Sequence, residues 1–124
     1  MVSFIDCVNR GDVDGLGRLM TDGHTLEVFD EEPVVGREAN VRAWRGYVES
    51  FPRYILYPHR ISDLGGTVAV LGHTTGSHLG LPDEEESRLT LIWLADVVEG
   101  AVRRWSLVEE NPANRGRFGL GEPR

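Results

Sequence analysis

The sequence predicts an α+β domain in which helices cover one face of a strongly curved, mainly antiparallel sheet. Apolar residues recur at helical spacing in two segments, 1–20 and 37–51. Elsewhere apolar and polar residues alternate in extended runs, and short turn segments separate the runs from residue 53 to 110. Helices followed by a run of strands are typical of the α+β class, because such helices cover the sheet instead of alternating with its strands.

Two short amphipathic helices are predicted at the start of the chain. Ile5 and Val8 share one face of the first helix, and Asp12 is a suitable N-cap for the second. Strict alternation over residues 24–30 then predicts a strand. After a turn, residues 34–35 are expected to form a brief second strand.

A longer helix is predicted from about residue 37 to 51, and Pro52 ends it. Its apolar stripe consists of Val41, Trp44, Val48 and Phe51. Four long strands then form an antiparallel meander, with predicted bounds 53–62, 67–79, 88–97 and 101–110.

Length, charge and cysteine content restrict the class of protein. The 124 residues suit one domain over 1–110, and the remainder, 111–124, is predicted to be irregular because it is rich in Gly, Pro, Asn and Arg. A net charge of −7 spread along the chain disfavours nucleic acid and anionic membranes as partners. No apolar run approaches the roughly 20 residues that cross a bilayer. The lone Cys7 and the lack of a secretory leader make the cytoplasm the expected compartment.

The stretch VAVLGHTTGSHLG, residues 68–80, turns from apolar to polar while keeping an extended pattern. Polar side chains in such a strand face water or line a cavity, so the stretch predicts a pocket. His73 and His78 are five residues apart and point to opposite faces of a regular strand, unless a bulge at Gly76 shifts the register. We expect His78 in the cavity and keep His73 as a second ligand-binding candidate. Either histidine could instead be exposed or bonded at a sheet edge.

The last predicted strand suggests a catalytic carboxylate. Trp105, Leu107 and Glu109 alternate onto one of its faces. If that face is inward, Glu109 lies at the rim of an apolar cavity, where desolvation prepares a carboxylate for general base catalysis. The alternative is that Glu109 belongs to the solvated end of the strand. Asp30, at the end of the first strand, is a second carboxylate expected near the cavity mouth.

Large aromatic rings are expected to form the cavity walls. Trp44 and Trp105 are assigned to the walls or the core, and Trp93 to the cavity or to a contact with a second copy. Both faces of residues 89–94 are apolar, which predicts that a second copy covers the outer face and that the protein is a homodimer.

Metal and cofactor sites are not expected. The acidic run 83–86 lacks the alternating ligands and the glycine of a calcium loop, so it is predicted to be a solvated hairpin loop. The four histidines show neither HExxH nor Cys-His spacing, and no zinc site is predicted.

Several segments together resemble the SnoaL-like branch of the NTF2-like superfamily. They are FIDCVNRGDVDGLGRLMTDG at residues 4–23, GRE at 36–38, Phe51-Pro52, and TGSHLG at 75–80. The resemblance covers about the first nine-tenths of the chain and leaves out the tail. It implies an NTF2-like cone, a cystatin-like α+β roll with one long helix packed in the curved sheet. This fold hosts cyclases, isomerases, epoxide hydrolases, dehydratases and transport factors.

The resemblance also implies roles for two residues. His78 occupies the position of the pocket histidine in the Gly-Thr-His motif of polyketide cyclases, with Ser77 in place of the threonine. Glu109 occupies the position of their acid/base aspartate, with a side chain one methylene longer. The expected function is therefore binding of a small, largely apolar organic molecule in a conical pocket, without a cofactor. An enzyme of this kind would catalyse an isomerase or cyclase step in which Glu109 moves a proton and His78 bonds the developing oxyanion.

The alternative is a non-catalytic ligand-binding module or a dimeric protein-interaction module. The same cavity would then hold a ligand without turning it over, or would be filled by side chains.

Overall fold

A computed structural model describes residues 2–121. The helices are α1 (Val2–Arg10), α2 (Val13–Arg18), α3 (Arg37–Ser50), α4 (Asp83–Glu86) and α5 (Pro112–Arg117). The strands are β1 (Met20–Val28), β2 (Val34–Val35), β3 (Ile55–Asp63), β4 (Thr67–Thr75), β5 (Leu91–Val98) and β6 (Ala101–Val108). Within these residues, none of the helices is long and apolar enough to cross a membrane.

The six strands form one sheet in the order β2-β1-β6-β5-β4-β3. All neighbouring pairs are antiparallel except β1 and β6, which run parallel. The pairing shifts register in β1, in β3 between Pro58 and Arg60, and in β5 between Asp96 and Val97. Such irregularities bend strands, so the sheet curls while β2 and β3 remain separate edges. The α+β class, the β1–β2 hairpin and the meander of β3 to β6 are confirmed.

The three N-terminal helices pack on the concave face of the sheet. Asp12 caps α2 as expected, because its Oδ1 accepts a hydrogen bond of 2.9 Å from the Gly15 amide. Asn40 at the start of α3 donates from Nδ2 to the backbone oxygens of His24 and Val34, each at 3.0 Å. These bonds join α3 to β1 and β2. The core between helices and sheet contains Phe4, Leu16, Met20, Leu56, Val70, Trp93 and Trp105.

A second, smaller core lies on the convex face, where the C-terminal segment crosses the sheet. The prediction of an irregular tail is wrong for residues 112–117, which form α5. Asn111 caps this helix, because its Oδ1 accepts a hydrogen bond of 2.7 Å from the Asn114 amide. Beyond α5, Leu120 is fully buried and packs with Ala69, Leu71 and Ile92. The apolar outer face of β5, from which a dimer partner is predicted, is thus partly covered by the chain itself.

β4 ends at Thr75 instead of residue 79, because the chain turns sharply at Gly76. Gly76 has φ +70°, a region that favours glycine, and a Cβ there would lie 2.4 Å from the backbone oxygen of Arg53. The turn carries Ser77 and His78 out of the strand, so strand alternation no longer determines where His78 points.

Candidate functional site

A cavity of about 210 Å³ lies between α3 and the concave face of the sheet. Its walls are mostly apolar and come from α3, β1, β5 and β6. The lining residues are Leu26, Val28, Ala43, Trp44, Tyr47, Tyr54, His78, Trp93 and Leu107. An apolar cavity with a few polar groups is the usual form of a small-molecule site.

The polar end of the cavity is a hydrogen-bonded pair formed by Tyr47 on α3 and His78. The Tyr47 Oη lies 2.9 Å from His78 Nδ1 and accepts a second bond, of 3.2 Å, from the His78 backbone amide. Because the phenol oxygen already accepts the amide hydrogen, its own hydrogen is available to donate to Nδ1. Neutral His78 then carries its proton on Nε2 and presents a donor.

Two tyrosines at this end stay protonated at neutral pH. Burial raises the pKa of Tyr47, the His78 amide opposes that shift, and the charge of Glu86 adds to it. Burial also raises the pKa of Tyr54 far above its usual range, with further contributions from Tyr47 and Glu86. The two rings meet edge to face with centroids 5.0 Å apart. Both phenols are therefore hydrogen-bond donors and not phenolates.

Glu86 is a buried carboxylate next to the turn that carries His78. It is 1% exposed, accepts a hydrogen bond from the Thr74 hydroxyl, and accepts a longer one, 3.4 Å, from the Ser77 amide. The expected solvated hairpin loop is wrong in structure, because residues 83–86 form the short helix α4, and residues 83–85 are exposed as expected whereas Glu86 is not. A carboxylate is buried only where donors replace water, and Thr74 and Ser77 supply them.

Two of the predicted site residues, His78 and Trp44, line the cavity. His78 is exposed, so it lies at the mouth, whereas Trp44 is buried in the wall. Trp93 also lines the cavity and not a surface. The indole N–H of Trp44 is buried and has no hydrogen-bond partner among residues 2–121.

Glu109 lies outside the cavity, contrary to expectation. β6 ends at Val108, and the Glu109 backbone oxygen accepts a 2.7 Å bond from Asn114 Nδ2 while its side chain is exposed. The cap of α5 thus ends the strand before the alternation reaches Glu109. The role of Glu109 as a general base stays a prediction, and its position outside the cavity does not support that role.

Two further candidates, Trp105 and Asp30, lie outside the cavity. Trp105 is 3% exposed and packs against Phe4 of α1, with ring centroids 4.8 Å apart, so it belongs to the core. Asp30 is exposed in the turn after β1, which ends at Val28 because Phe29 adopts a positive φ of 49°.

His73 lies on the convex face, away from the cavity. Its ring stacks on Tyr57 at 4.7 Å, and its Nδ1 lies 2.6 Å from Nε2 of His59. Burial and then the charge of His59 lower the pKa of His73, partly offset by Glu86. The assignment of His73 as a ligand-binding residue is therefore wrong for this cavity, and His78 reaches the cavity through the turn at Gly76 and not through strand alternation.

Sequence reasoning missed Tyr47, Tyr54 and Glu86. A signal for Tyr47 was present, since it follows Trp44 by three residues and shares its face of α3. Tyr54 lies in an irregular connection and Glu86 in an acidic run. In neither segment do apolar residues recur at a regular spacing that would mark the residue as buried. No group of three His, Cys, Asp or Glu side chains within residues 2–121 is arranged to hold a metal ion.

Comparison with known proteins identifies the family of this chain. A family model, the SnoaL-like domain, matches residues 1–105. The chain belongs to the SnoaL-like family. The resemblance expected from the sequence is therefore confirmed, including its place in the NTF2-like superfamily. A search of curated protein sequences finds no match.

Solved structures share the fold of this SnoaL-like chain at low sequence identity. An uncharacterised cystatin-fold protein from Novosphingobium aromaticivorans is 18% identical with a TM-score of 0.74, covering 87% of this chain and 93% of its own. A candidate polyketide cyclase from Sinorhizobium meliloti is 20% identical with a TM-score of 0.71, covering 86% and 90%. TerC, co-crystallised with polyporic acid, is 12% identical with a TM-score of 0.70, covering 97% and 95%. These likenesses establish the cystatin-like, NTF2-like fold.

Proposed function

We propose that this SnoaL-like chain binds a small, largely apolar organic molecule that carries one hydrogen-bond acceptor, such as a carbonyl oxygen. The observation that carries the proposal is the cavity itself, with apolar walls and donor groups at one end. A volume of about 210 Å³ exceeds the roughly 150 Å³ cavity known to hold benzene, so one or two fused rings fit.

The preference for an acceptor follows from the polar groups. His78 presents Nε2–H when Tyr47 donates to its Nδ1, and the Tyr54 phenol stays protonated. A ligand oxygen would accept hydrogen bonds from these donors. A pure hydrocarbon would remove the water bound to them and offer no acceptor in its place, at a cost of about 1–3 kcal/mol. The co-crystal of TerC with polyporic acid supports the idea that this fold accommodates organic molecules.

The binding test uses two probes of nearly equal shape, 1-tetralone and tetralin, of which only the first has a carbonyl. Fluorescence titration is suitable because Trp44 and Trp93 line the cavity. We expect 1-tetralone to bind about tenfold more tightly than tetralin. Ala43→Phe fills the cavity and is expected to abolish binding of both probes.

His78→Phe keeps a ring at the mouth but removes the donor, and is expected to reduce the preference for 1-tetralone to near unity. The matched control is His73→Phe, on the opposite face of the sheet, which is expected to bind like the wild type. Binding that survives Ala43→Phe, or an equal loss in both histidine variants, would refute the proposed site.

A second candidate function is an isomerase or cyclase step on the same kind of ligand. The placement of His78 at the exposed mouth favours it, because Nε2–H can stabilise the oxygen of a carbonyl while solvent water or hydroxide takes the proton from the adjacent carbon. Exchange of the α-protons of 1-tetralone in D₂O, followed by NMR, detects this step without the natural substrate. We expect faster exchange with the wild type and loss of that acceleration in His78→Phe. Glu109→Gln is expected to be unaffected, and loss of exchange in that variant would restore Glu109 as the base.

The proposed molecular state is a homodimer in the cytoplasm. The cytoplasm is proposed from the lone Cys7. For the dimer, the apolar residues of the convex face that Leu120 leaves uncovered, such as Tyr57 at 41% exposure, are the candidate contact.

A further inference from the structure

Glu86 is the buried acidic residue of this structure, since every other Asp and Glu between residues 2 and 121 is at least partly exposed. Removing a carboxylate from water costs several kcal/mol before compensation. Three exposed carboxylates precede it in the same acidic run. A chain that only needed a polar loop here could leave the fourth in solvent as well, so the burial of Glu86 calls for a physical explanation.

The contacts of Glu86 close the turn at Gly76. Its Oε2 accepts from the Thr74 hydroxyl, which precedes the turn, and its Oε1 accepts from the Ser77 amide, which follows it. The carboxylate therefore bridges the two sides of a turn that already has a positive φ at its centre. His78 is the next residue, and its amide and ring both bond to Tyr47. The bridge thus fixes where His78 lies relative to α3.

The charge of Glu86 also acts on the phenols of the cavity. It contributes to raising the pKa of both Tyr47 and Tyr54, after the larger effect of burial. A phenol that keeps its hydrogen can donate to His78 Nδ1, and a phenolate cannot. Burial alone keeps Tyr47 protonated at neutral pH, so Glu86 acts on this donor through the geometry of the turn, and its effect on the Tyr47 pKa reports how near its charge lies.

We propose that Glu86 is the positioning residue of this site: it holds the turn that carries His78 against α3, so that His78 Nδ1 lies where the Tyr47 phenol donates to it. The consequence is a His78 ring that presents Nε2–H to the cavity, which selects ligands with an acceptor. The part of the inference that concerns ligand selection rests on the proposed function. The arrangement of Glu86, Tyr47 and His78 does not, because it can be measured in the unliganded protein.

The central test compares Glu86→Gln, which removes the charge and keeps the shape, with Glu85→Gln, which removes an exposed charge from the preceding position. Nitrogen-15 NMR of the imidazole reports which ring nitrogen of His78 carries the proton. We expect the Nε2–H form in the wild type and in Glu85→Gln, and a mixture of the two forms in Glu86→Gln. The ultraviolet titration of Tyr47, assigned with Tyr47→Phe, is expected to move to lower pH in Glu86→Gln only, because the Glu86 charge that helps to raise the Tyr47 pKa is then absent.

A second variant separates the charge from the turn and guards against a folding defect. Thr74→Val removes one donor to the carboxylate but leaves its charge and the side-chain volume nearly unchanged. We expect a mixed His78 tautomer in this variant with no change in the Tyr47 titration. An Nε2–H form that persists in both Glu86→Gln and Thr74→Val, or a Tyr47 titration equal in Glu86→Gln and Glu85→Gln, would overturn the role assigned to Glu86.

The ligand test distinguishes failure of this inference from failure of the proposed function. Glu86→Gln is expected to bind 1-tetralone about tenfold more weakly than the wild type and tetralin about equally, because only the carbonyl contact depends on the His78 ring. Wild-type protein that binds neither probe would refute the proposed function and leave the tautomer and titration results to decide the role of Glu86. Full 1-tetralone affinity in Glu86→Gln, with the site otherwise confirmed, would overturn the inference alone.

Discussion

The burial of Leu120 predicts that the C-terminal segment contributes substantially to stability. Leu120 is 0% exposed and packs against Ala69, Leu71 and Ile92 on the convex face. Leu→Ala substitutions at buried sites cost about 2–5 kcal/mol, and the lower end applies where neighbours can relax into the space. Leu120 lies near a chain end, whose backbone can move, so we expect Leu120→Ala to lower the free energy of unfolding by about 2–3 kcal/mol.

This loss converts to a measurable shift in melting temperature. An unfolding entropy of about 2.1 cal/mol/K per residue, over the whole chain, is roughly 0.26 kcal/mol/K, so the melting temperature is expected to fall by about 10 °C. The assay is reversible thermal unfolding followed by circular dichroism. Leu79→Ala is the control, because Leu79 is 49% exposed and its truncation is expected to cost less than about 0.5 kcal/mol. Equal melting temperatures for the two variants would show that the tail does not pack on the sheet.

Three further predictions concern pH, the phenol and the assembly. Burial lowers the pKa of His24, whose Nδ1 donates to the Val102 oxygen at 2.7 Å, so the unfolded chain binds the proton more readily. Stability is therefore expected to be complete above about pH 6.5 and to fall as the pH drops below it, and His24→Asn is expected to flatten this dependence in urea titrations. Tyr47→Phe removes both bonds to His78 and is expected to cost about 1 kcal/mol, whereas Tyr57→Phe on the convex face is expected to be neutral; urea titration of both variants checks this. For the predicted homodimer, light scattering is expected to give twice the 13.8 kDa of the chain, and a mass of 13.8 kDa contradicts it.

Those parts of the fold that depend on local periodicity could be predicted from the sequence. The apolar stripe of α3 correctly placed Trp44 on the inner face, and Asp12 is the cap of α2 that its residue type suggests. In each case neighbouring residues of one element carry the signal.

Features that depend on contacts between distant residues could not be predicted in this way. Glu86 has the same residue type as its exposed neighbours, and only Thr74 and Ser77, from another part of the chain, make its burial favourable. Likewise, a segment rich in glycine and arginine gives no sign that Leu120 will be buried against the sheet. Glu109 was misplaced because Asn111 begins a helix that ends the strand pattern early. In all these cases tertiary contacts outweigh the local pattern.

The most direct test of the proposed site is a crystal structure of the protein in complex with 1-tetralone. We expect the rings to lie between Trp44 and the concave face of the sheet, with the carbonyl oxygen about 2.7–3.2 Å from His78 Nε2. A ligand bound outside this cavity, or bound within it with the carbonyl turned away from His78, would contradict the account.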